Sequence, residues 1–445
     1  MNHAAKQFSL LEHSVTSRLP DFRKLSVEER LELLGQMLEL TPDELARFEA
    51  AGGLPMEVAS RLIENVVGTF SLPLGLGLNL LVNGREYLVP MAVEEPSVVA
   101  ASSFAAKLVR EAGGFRAEAD ESLMIGQVQV TGYGDPERAT AALLAAREEL
   151  LARANSLHPA MVQRGGGARD IEVRVLPAPE GPEGEPLLIL HLIIDCQEAM
   201  GANLINTMAE GVAPLVEQLT GGRVFLRILS NLADQRLARA SCRIPVGQLA
   251  YGGRTGESVA EGIVQASRFA QADPYRAATH NKGIMNGIDP VAIATGQDWR
   301  ALEAGAHAFA CRSGQYRPLS TWSLEDGHLV GRIELPLALG LVGGPIKVHP
   351  GVQVALKLLR VGSVREFAQV LASVGLAQNL AALRALGSDG IQKGHLSMHA
   401  RSVAMAAGAR GKQVDEVAGL LARTGVVKVE QARELMQVLS STGEK

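Results

Sequence analysis

Short amphipathic stretches open the chain. Ser26 is followed three positions later by Glu29, and Thr41 by Glu44. That spacing predicts capping boxes at the starts of short helices within residues 18–65. Pro and Gly then punctuate residues 68–84, after which 87–92 reads as a short strand. Residues 98–109 continue helically, with Pro96 at the helix start and Glu95 at its N-cap. From 123 onward the period changes. Residues 125–131 alternate like a half-buried strand, and 137–155 form an Ala- and Leu-rich helix. Strands at 171–176 and 187–195 flank a polar loop, PAPEGPEGEP; a helix at 200–219 and a strand at 224–229 complete the run. The order β-α-β-β-α-β is the ferredoxin-like split unit. The pattern therefore predicts an α+β fold: a large mixed α/β domain (1–122 and 230–390) interrupted by a ferredoxin-like domain (123–229). Residues 230–390 read as helices with Gly-rich turns, and 391–445 as wholly helical.

Composition narrows the class. With 445 residues, more than one core is expected. Hydrophobic residues at 47% and charged residues at 20% describe a globular chain, and 4% aromatics mean aliphatic cores. A net charge of −5 excludes a generally basic nucleic-acid binder. The N-terminus lacks a signal-peptide core, and no run reaches the 18 or so apolar residues of a membrane span. Cys196, Cys242 and Cys311 are scattered without CxxC spacing, which fits a reducing, cytoplasmic setting with neither a disulfide framework nor a zinc site. Against the acidic chain, residues 391–445 carry eight Lys/Arg and five Asp/Glu, a basic end suited to an anionic ligand or simply a solvated helical surface.

The familiar nucleotide fingerprints are missing. There is no G-x-G-x-x-G at a strand-to-helix turn and no G-x-x-x-x-G-K-[ST]; Gly165–Gly167 precedes a strand instead. H-E-x-x-H and G-x-S-x-G are absent too. What remains are ionisable residues in Gly- and Asn-rich settings. Glu95 stands before Pro96, as a helix cap or a catalytic carboxyl. Lys282 lies among His280, Asn281 and Asn286, where a desolvated lysine can polarise a carbonyl. Asp298 heads an Ala-rich helix and can serve as its cap. His395 and His399 are one turn apart, with no third ligand nearby to make a metal site. EAMGANLIN (198–206) opens a helix with small residues, suited to a phosphate or to close packing.

Six segments in order carry a resemblance: ENVVG (64–68), VPMAVEEPSVVA (89–100), EAMGANLINTMAEGVAP (198–214), PYRAATHNKGIMNGIDP (274–290), TGQDW (295–299) and GHLSMHAR (394–401). From about residue 18 to the end, the chain resembles the bacterial, class II 3-hydroxy-3-methylglutaryl-coenzyme A (HMG-CoA) reductases. The resemblance implies a large domain for the acyl-CoA, an inserted domain for the nicotinamide dinucleotide and a C-terminal helical flap over 391–445. It also implies an obligate homodimer, or a higher oligomer, with active sites at the subunit interface. Carried over by motif, Glu95, Lys282, Asp298 and His395 are the catalytic residues. Ser97, Arg276, Asn286, Arg23 and Asn379 fall at substrate positions, and Glu198, Met200, Gly201 and Asn203 at cofactor positions. Two departures stand out: the family's DAMG reads Glu198-Ala-Met-Gly201, and His158 occupies the place of a ribose-reading aspartate.

The implied reaction reduces HMG-CoA to mevalonate and free CoA with two reduced nicotinamides. Lys282 would stabilise the thioester oxyanion, with Asp298 holding it. Glu95 would protonate the mevaldehyde oxygen, or Lys282 would do so through their hydrogen bond. His395 would protonate the leaving thiolate, a transfer made downhill by reference pKa values of about 6.5 and 8.5. The similarity favours NAD(H) and mevalonate catabolism; an NADPH-preferring biosynthetic enzyme is the alternative, with Arg164 as the nearby cation for a 2′-phosphate. A non-catalytic CoA-binding homologue is disfavoured by the intact catalytic set. A thiolase-like transferase would need a cysteine in a Gly-rich nucleophile turn.

Overall fold

The computed structural model describes residues 15–49, 53–179, 181, 184–388 and 400–442. Both capping boxes form: Ser26 accepts from the Glu29 amide while Glu29 returns to the Ser26 amide, and Thr41 and Glu44 do the same. Strands β1 (Leu74–Val82) and β2 (Arg85–Ala92) make an antiparallel hairpin. β1 occupies a stretch whose glycines predicted turns. Gly75 answers to packing instead, because the Val98–Glu111 helix lies across the strand. A Cβ on Gly75 would come within 2.9 Å of Val99 Cγ2.

Next come β3 (Arg116–Ala119), β4 (Leu123–Thr131), β5 (Gly167–Leu176), β6 (Leu187–Asp195) and β7 (Arg223–Leu229). The last four form one antiparallel sheet in the order β5-β6-β4-β7, the arrangement expected of the split unit. Val128, Val130, Leu188, Leu190, Leu192 and Ile194 are fully buried. They share a hydrophobic cluster with Leu143, Leu150, Ile205, Met208 and Val212 of the covering helices. The single helix expected over 137–155 is two, Pro136–Ala145 and Arg147–Ser156, because the chain turns at Ala146 (φ −91°, ψ 15°). The turn lets the second helix lie on β5.

Three strands went unforeseen in the 230–390 region: β8 (Leu237–Pro245), β9 (Ser320–Glu325) and β10 (His328–Pro336), ordered β3-β8-β10-β9. Period-2 alternation is present in β8, but its inward residues begin with Ala238, Ala240 and Cys242, too small to signal a buried face. Outward, Arg239 pairs with Asp120 (2.8 Å) and Glu334 (2.7 Å). The main core gathers around the Val364–Gly387 helix. Each fully buried Leu or Phe there contributes about 1.5–3 kcal/mol. Among the described residues this is the one helix long and apolar enough to cross a membrane, and 72% of its apolar window is buried inside the protein. Residues 400–406 are helical, as are Lys412–Thr424 and Val429–Thr442, and the three share a small cluster around Ala404, Val417 and Leu421.

Candidate active site

The Pro274–Ala294 helix is the platform. Asp273 caps it, accepting from the Tyr275 and Arg276 amides, and Pro274 takes the first position, where a missing N–H costs nothing. Arg276, Thr279, Gly283 and Asn286 recur every three or four residues, so they line one face. That face opens on a cavity of about 890 Å³, whose opposite walls come from the Val98–Glu111 and Val364–Gly387 helices. The cavity gathers seven of the residues marked by sequence: Arg23, Glu95, Ser97, Arg276, Lys282, Asn286 and Asn379.

Lys282 Nζ donates to Glu95 Oε2 at 3.0 Å, across 187 positions of sequence. Both ends are open to solvent, with side-chain exposures of 62% and 38%, so the pair adds no more than about 1 kcal/mol to stability. Glu95 is not the helix N-cap. Ser97 holds that position in a left-handed conformation (φ 80°, ψ −21°), so the helix begins at Val98 and the Glu95 carboxylate is left to meet the lysine. A non-glycine residue in that region is strained, and such strain collects at functional sites.

Behind the platform lies a network that sequence did not reveal. His280, 1% exposed, contacts Ser320 Oγ at 2.7 Å and Asn379 Nδ2 at 3.2 Å through Nε2. Ser320 and Trp322 both donate to Asn379 Oδ1, at 2.9 and 2.7 Å. The side chain expected to reach the substrate, Asn379, is thus 1% exposed, and its carbonyl oxygen is filled by two donors. Burial first, and the Arg276 charge second, push the His280 imidazole down to about 3, so it is neutral under ordinary conditions.

Asp298 does not join Lys282 within one chain. Its Oδ1 accepts from the Ala301 amide at 3.1 Å, capping the Trp299–Ala310 helix. From Lys282 to the helix end at Ala294 the rise alone spans about 18 Å, well past a lysine's reach. His395 and His399 lie outside the described residues.

The residues expected at the cofactor are not among those lining this cavity. Glu198 is committed elsewhere: its Oε2 accepts from the Val364 amide at 2.7 Å, at the N-terminus of the central helix, and its backbone carbonyl accepts from Leu341 at 2.8 Å. The additional methylene over aspartate gives the reach. Arg236, 5% exposed, donates to the carbonyls of Ala199, Met200 and Leu339. Gly201 (φ 104°) starts the 19-residue Ala202–Thr220 helix, which has no side-chain cap; a Cβ there would collide with Cys196 Sγ. Asn203 is exposed in the first turn. The Gly165–Gly167 turn abuts this segment, since Gln197 Nε2 donates to the Gly165 carbonyl at 3.3 Å. His158 precedes the Pro159–Gln163 helix, with Nε2 buried and without a partner among the described residues.

A cation and a carboxyl paired over an arginine-bearing cavity suit an oxidoreductase acting on the carbonyl of an anionic substrate. Comparison with known proteins specifies the class. Residues 26–400 match the hydroxymethylglutaryl-coenzyme A reductase family model. A 3-hydroxy-3-methylglutaryl-coenzyme A reductase of Archaeoglobus fulgidus is 50% identical over 432 residues, 97% of each chain. The structure of the corresponding reductase from Streptococcus pneumoniae superposes with a TM-score of 0.79 at 46% identity, covering 94% of this chain and 99% of that one. A class II structure from the same organism, bound to NADPH in open conformations, gives 0.78 at 48% identity over 83% of this chain and 99% of that one. The chain belongs to the HMG-CoA reductase family.

Proposed function

We propose that this chain interconverts HMG-CoA with mevalonate and CoA, using two nicotinamide equivalents. The observation that carries the reading is the Glu95–Lys282 pair facing the cavity that Arg276 and Ser97 share. The nicotinamide, when bound, supplies hydride for each of the two reductions. Lys282 stabilises the oxyanion that develops on the substrate carbonyl. Glu95 gives a proton to the aldehyde oxygen when its carboxyl is protonated, or Lys282, which donates to it, is the proton source instead. Arg276 takes the acyl carboxylate, and His395 protonates the departing thiolate. An oxidation of NADH or NADPH that depends on HMG-CoA and releases a titratable thiol tests the whole assignment; no oxidation with either cofactor would end it.

The active unit in this reading is a homodimer of the cytoplasm, in which Asp298 reaches Lys282 from a second copy. Two features support it. Asp298 is separated from Lys282 within its own chain by the helix rise given above. The segment around ENVVG also exposes Ile63 (66%), Val67 (99%) and Phe70 (94%), an apolar arm that no described residue of its own chain covers.

The 123–229 unit holds the dinucleotide in this reading, and its residues fit one. The Ala202–Thr220 helix has uncapped first-turn amides, which attract a phosphate. A tight glycine turn adjoins it, and the orphaned His158 Nε2 lies beyond. NAD(H) as the preferred cofactor, in mevalonate catabolism, rests on the resemblance to NAD-using members. The rival NADPH reading draws on the relative bound to NADPH and on Arg164, exposed six residues past His158. Comparing kcat/KM for NADH and NADPH at pH 6 and pH 8 separates them. NADPH preference at both values overturns the NAD reading; NADPH use only at the lower value, lost in His158→Asp, makes His158 the selector.

A further inference from the structure

We propose that Arg384, whose guanidinium carbon lies over the rings of both Phe104 and Tyr251, is an anion-binding residue of the acyl-CoA site and takes a phosphate or carboxylate oxygen of that substrate. The inference rests on the function proposed above and adds a residue to it.

Arg384 stands near the end of the Val364–Gly387 helix and is 8% exposed. Its guanidinium carbon lies 4.8 Å from the Phe104 ring centre and 4.3 Å from that of Tyr251. Both rings are partly open, at 43% and 49%, and all three residues line the cavity that holds Glu95 and Lys282. Among the described residues, no carboxylate or carbonyl accepts from this guanidinium, and its Nε is buried without a partner.

The molecule treats its other deeply buried arginine differently. Arg236 fills its donors with three backbone carbonyls. A buried cation with empty donors is costly, and ring faces offset only part of that cost. Burial lowers the pKa of Arg384, yet a guanidinium keeps its proton in proteins. The charge therefore persists and calls for an anion. A planar fork packed over two rings is pre-organised for two parallel hydrogen bonds to a phosphate or carboxylate. Arg23, Arg276 and Lys282 line the same cavity, opposed by Glu95, so its charge balance suits a substrate with a carboxylate at one end and phosphates at the other.

Arg384→Met keeps the aliphatic bulk and removes the charge, whereas Arg384→Lys keeps the charge and loses the fork. Steady-state KM would be measured for HMG-CoA, mevalonate and the nicotinamide, with CoA affinity taken by titration calorimetry. The expected result for Arg384→Met is a rise of about tenfold or more in KM for HMG-CoA, with the nicotinamide KM within about twofold of wild type. Arg384→Lys should recover part of the loss. A parallel loss of CoA affinity assigns the phosphates, because CoA has no carboxylate. A loss shared by HMG-CoA and mevalonate but absent for CoA assigns the carboxylate. If HMG-CoA, mevalonate and CoA all bind as in wild type, or if the nicotinamide KM rises equally, Arg384 is a packing residue and the proposal is overturned. Should Arg384→Met fail to fold, wild-type affinities in Arg384→Lys would overturn it as well. A wild-type protein that does not reduce HMG-CoA removes the functional reading, and CoA calorimetry then still decides Arg384.

Discussion

Co-expressing Lys282→Ala with Asp298→Asn tests where the lysine finds a second carboxylate. Within one chain the two residues are separated by the helix from Lys282 to Ala294, about 18 Å of rise. Asp298 meanwhile caps the next helix through the Ala301 amide. Its side chain is 43% exposed and free to face another subunit. Each variant alone should lose about a hundredfold or more in kcat, since in the proposed mechanism one removes the cation that meets the oxyanion and the other its electrostatic support. If the site is shared, random pairing makes about half of the dimers mixed. In a mixed dimer one site carries both substitutions and the other carries none, so the mixture should regain about a quarter of wild-type activity. The assay is nicotinamide absorbance with HMG-CoA, on co-purified chains bearing two different tags. Activity no higher than that of the separate variants would refute a shared site. Near-normal activity of Asp298→Asn alone would remove the aspartate from the mechanism altogether.

Other outcomes follow from single residues. Lys282→Ala should leave the unfolding free energy within about 1 kcal/mol of wild type, because its ion pair is exposed; a larger loss in urea denaturation would mean that the lysine supports the fold. Gly201→Ala should cost about 2–5 kcal/mol, combining the left-handed backbone with a methyl forced onto Cys196, and an unchanged melting temperature would contradict that. Asp289 is a half-buried carboxyl whose affinity for its proton is pushed up to about 8 by burial and by the adjoining Glu303, itself paired with His307 at 2.6 Å. Because the folded value lies above the unfolded one, the stability this group contributes is full below the unfolded value and fades as pH rises through about 8. Urea midpoints at pH 6 and pH 9 should therefore converge in Asp289→Asn, which keeps a donor toward Glu303 without titrating. Equal pH sensitivity in both proteins would show that the aspartate is not the titrating group.

Much of the architecture could be read from the chain, and the exceptions share a cause. Strand β6 (Leu187–Asp195) is a near-continuous run of Leu and Ile, and β4 shows a clear alternation of apolar and polar residues, so both are legible in the chain. β1, β3, β8, β9 and β10 are not legible in the same way. Gly75 reads as a turn former until the Val98–Glu111 helix is seen lying over it, and Ala238 and Ala240 give too little contrast with their neighbours. In the site, local sequence located Lys282 and Glu95. It also set Glu95 at the helix cap, which the left-handed Ser97 contradicts.

By itself, then, the sequence determined what depends on neighbours a few positions apart: the caps at Ser26 and Thr41, the β-α-β-β-α-β order, and the motif residues that carry charge. Tertiary structure decided everything that depends on burial and on contacts across hundreds of positions. It made Glu95 and Lys282 partners, set Glu198 on the N-terminus of a distant helix and tied Asn379 to His280, Ser320 and Trp322. It also left Arg384 charged over two rings. The physical reason is that a side chain's hydrogen bonds and its share of water are properties of what surrounds it, and those surroundings do not exist until the helices pack.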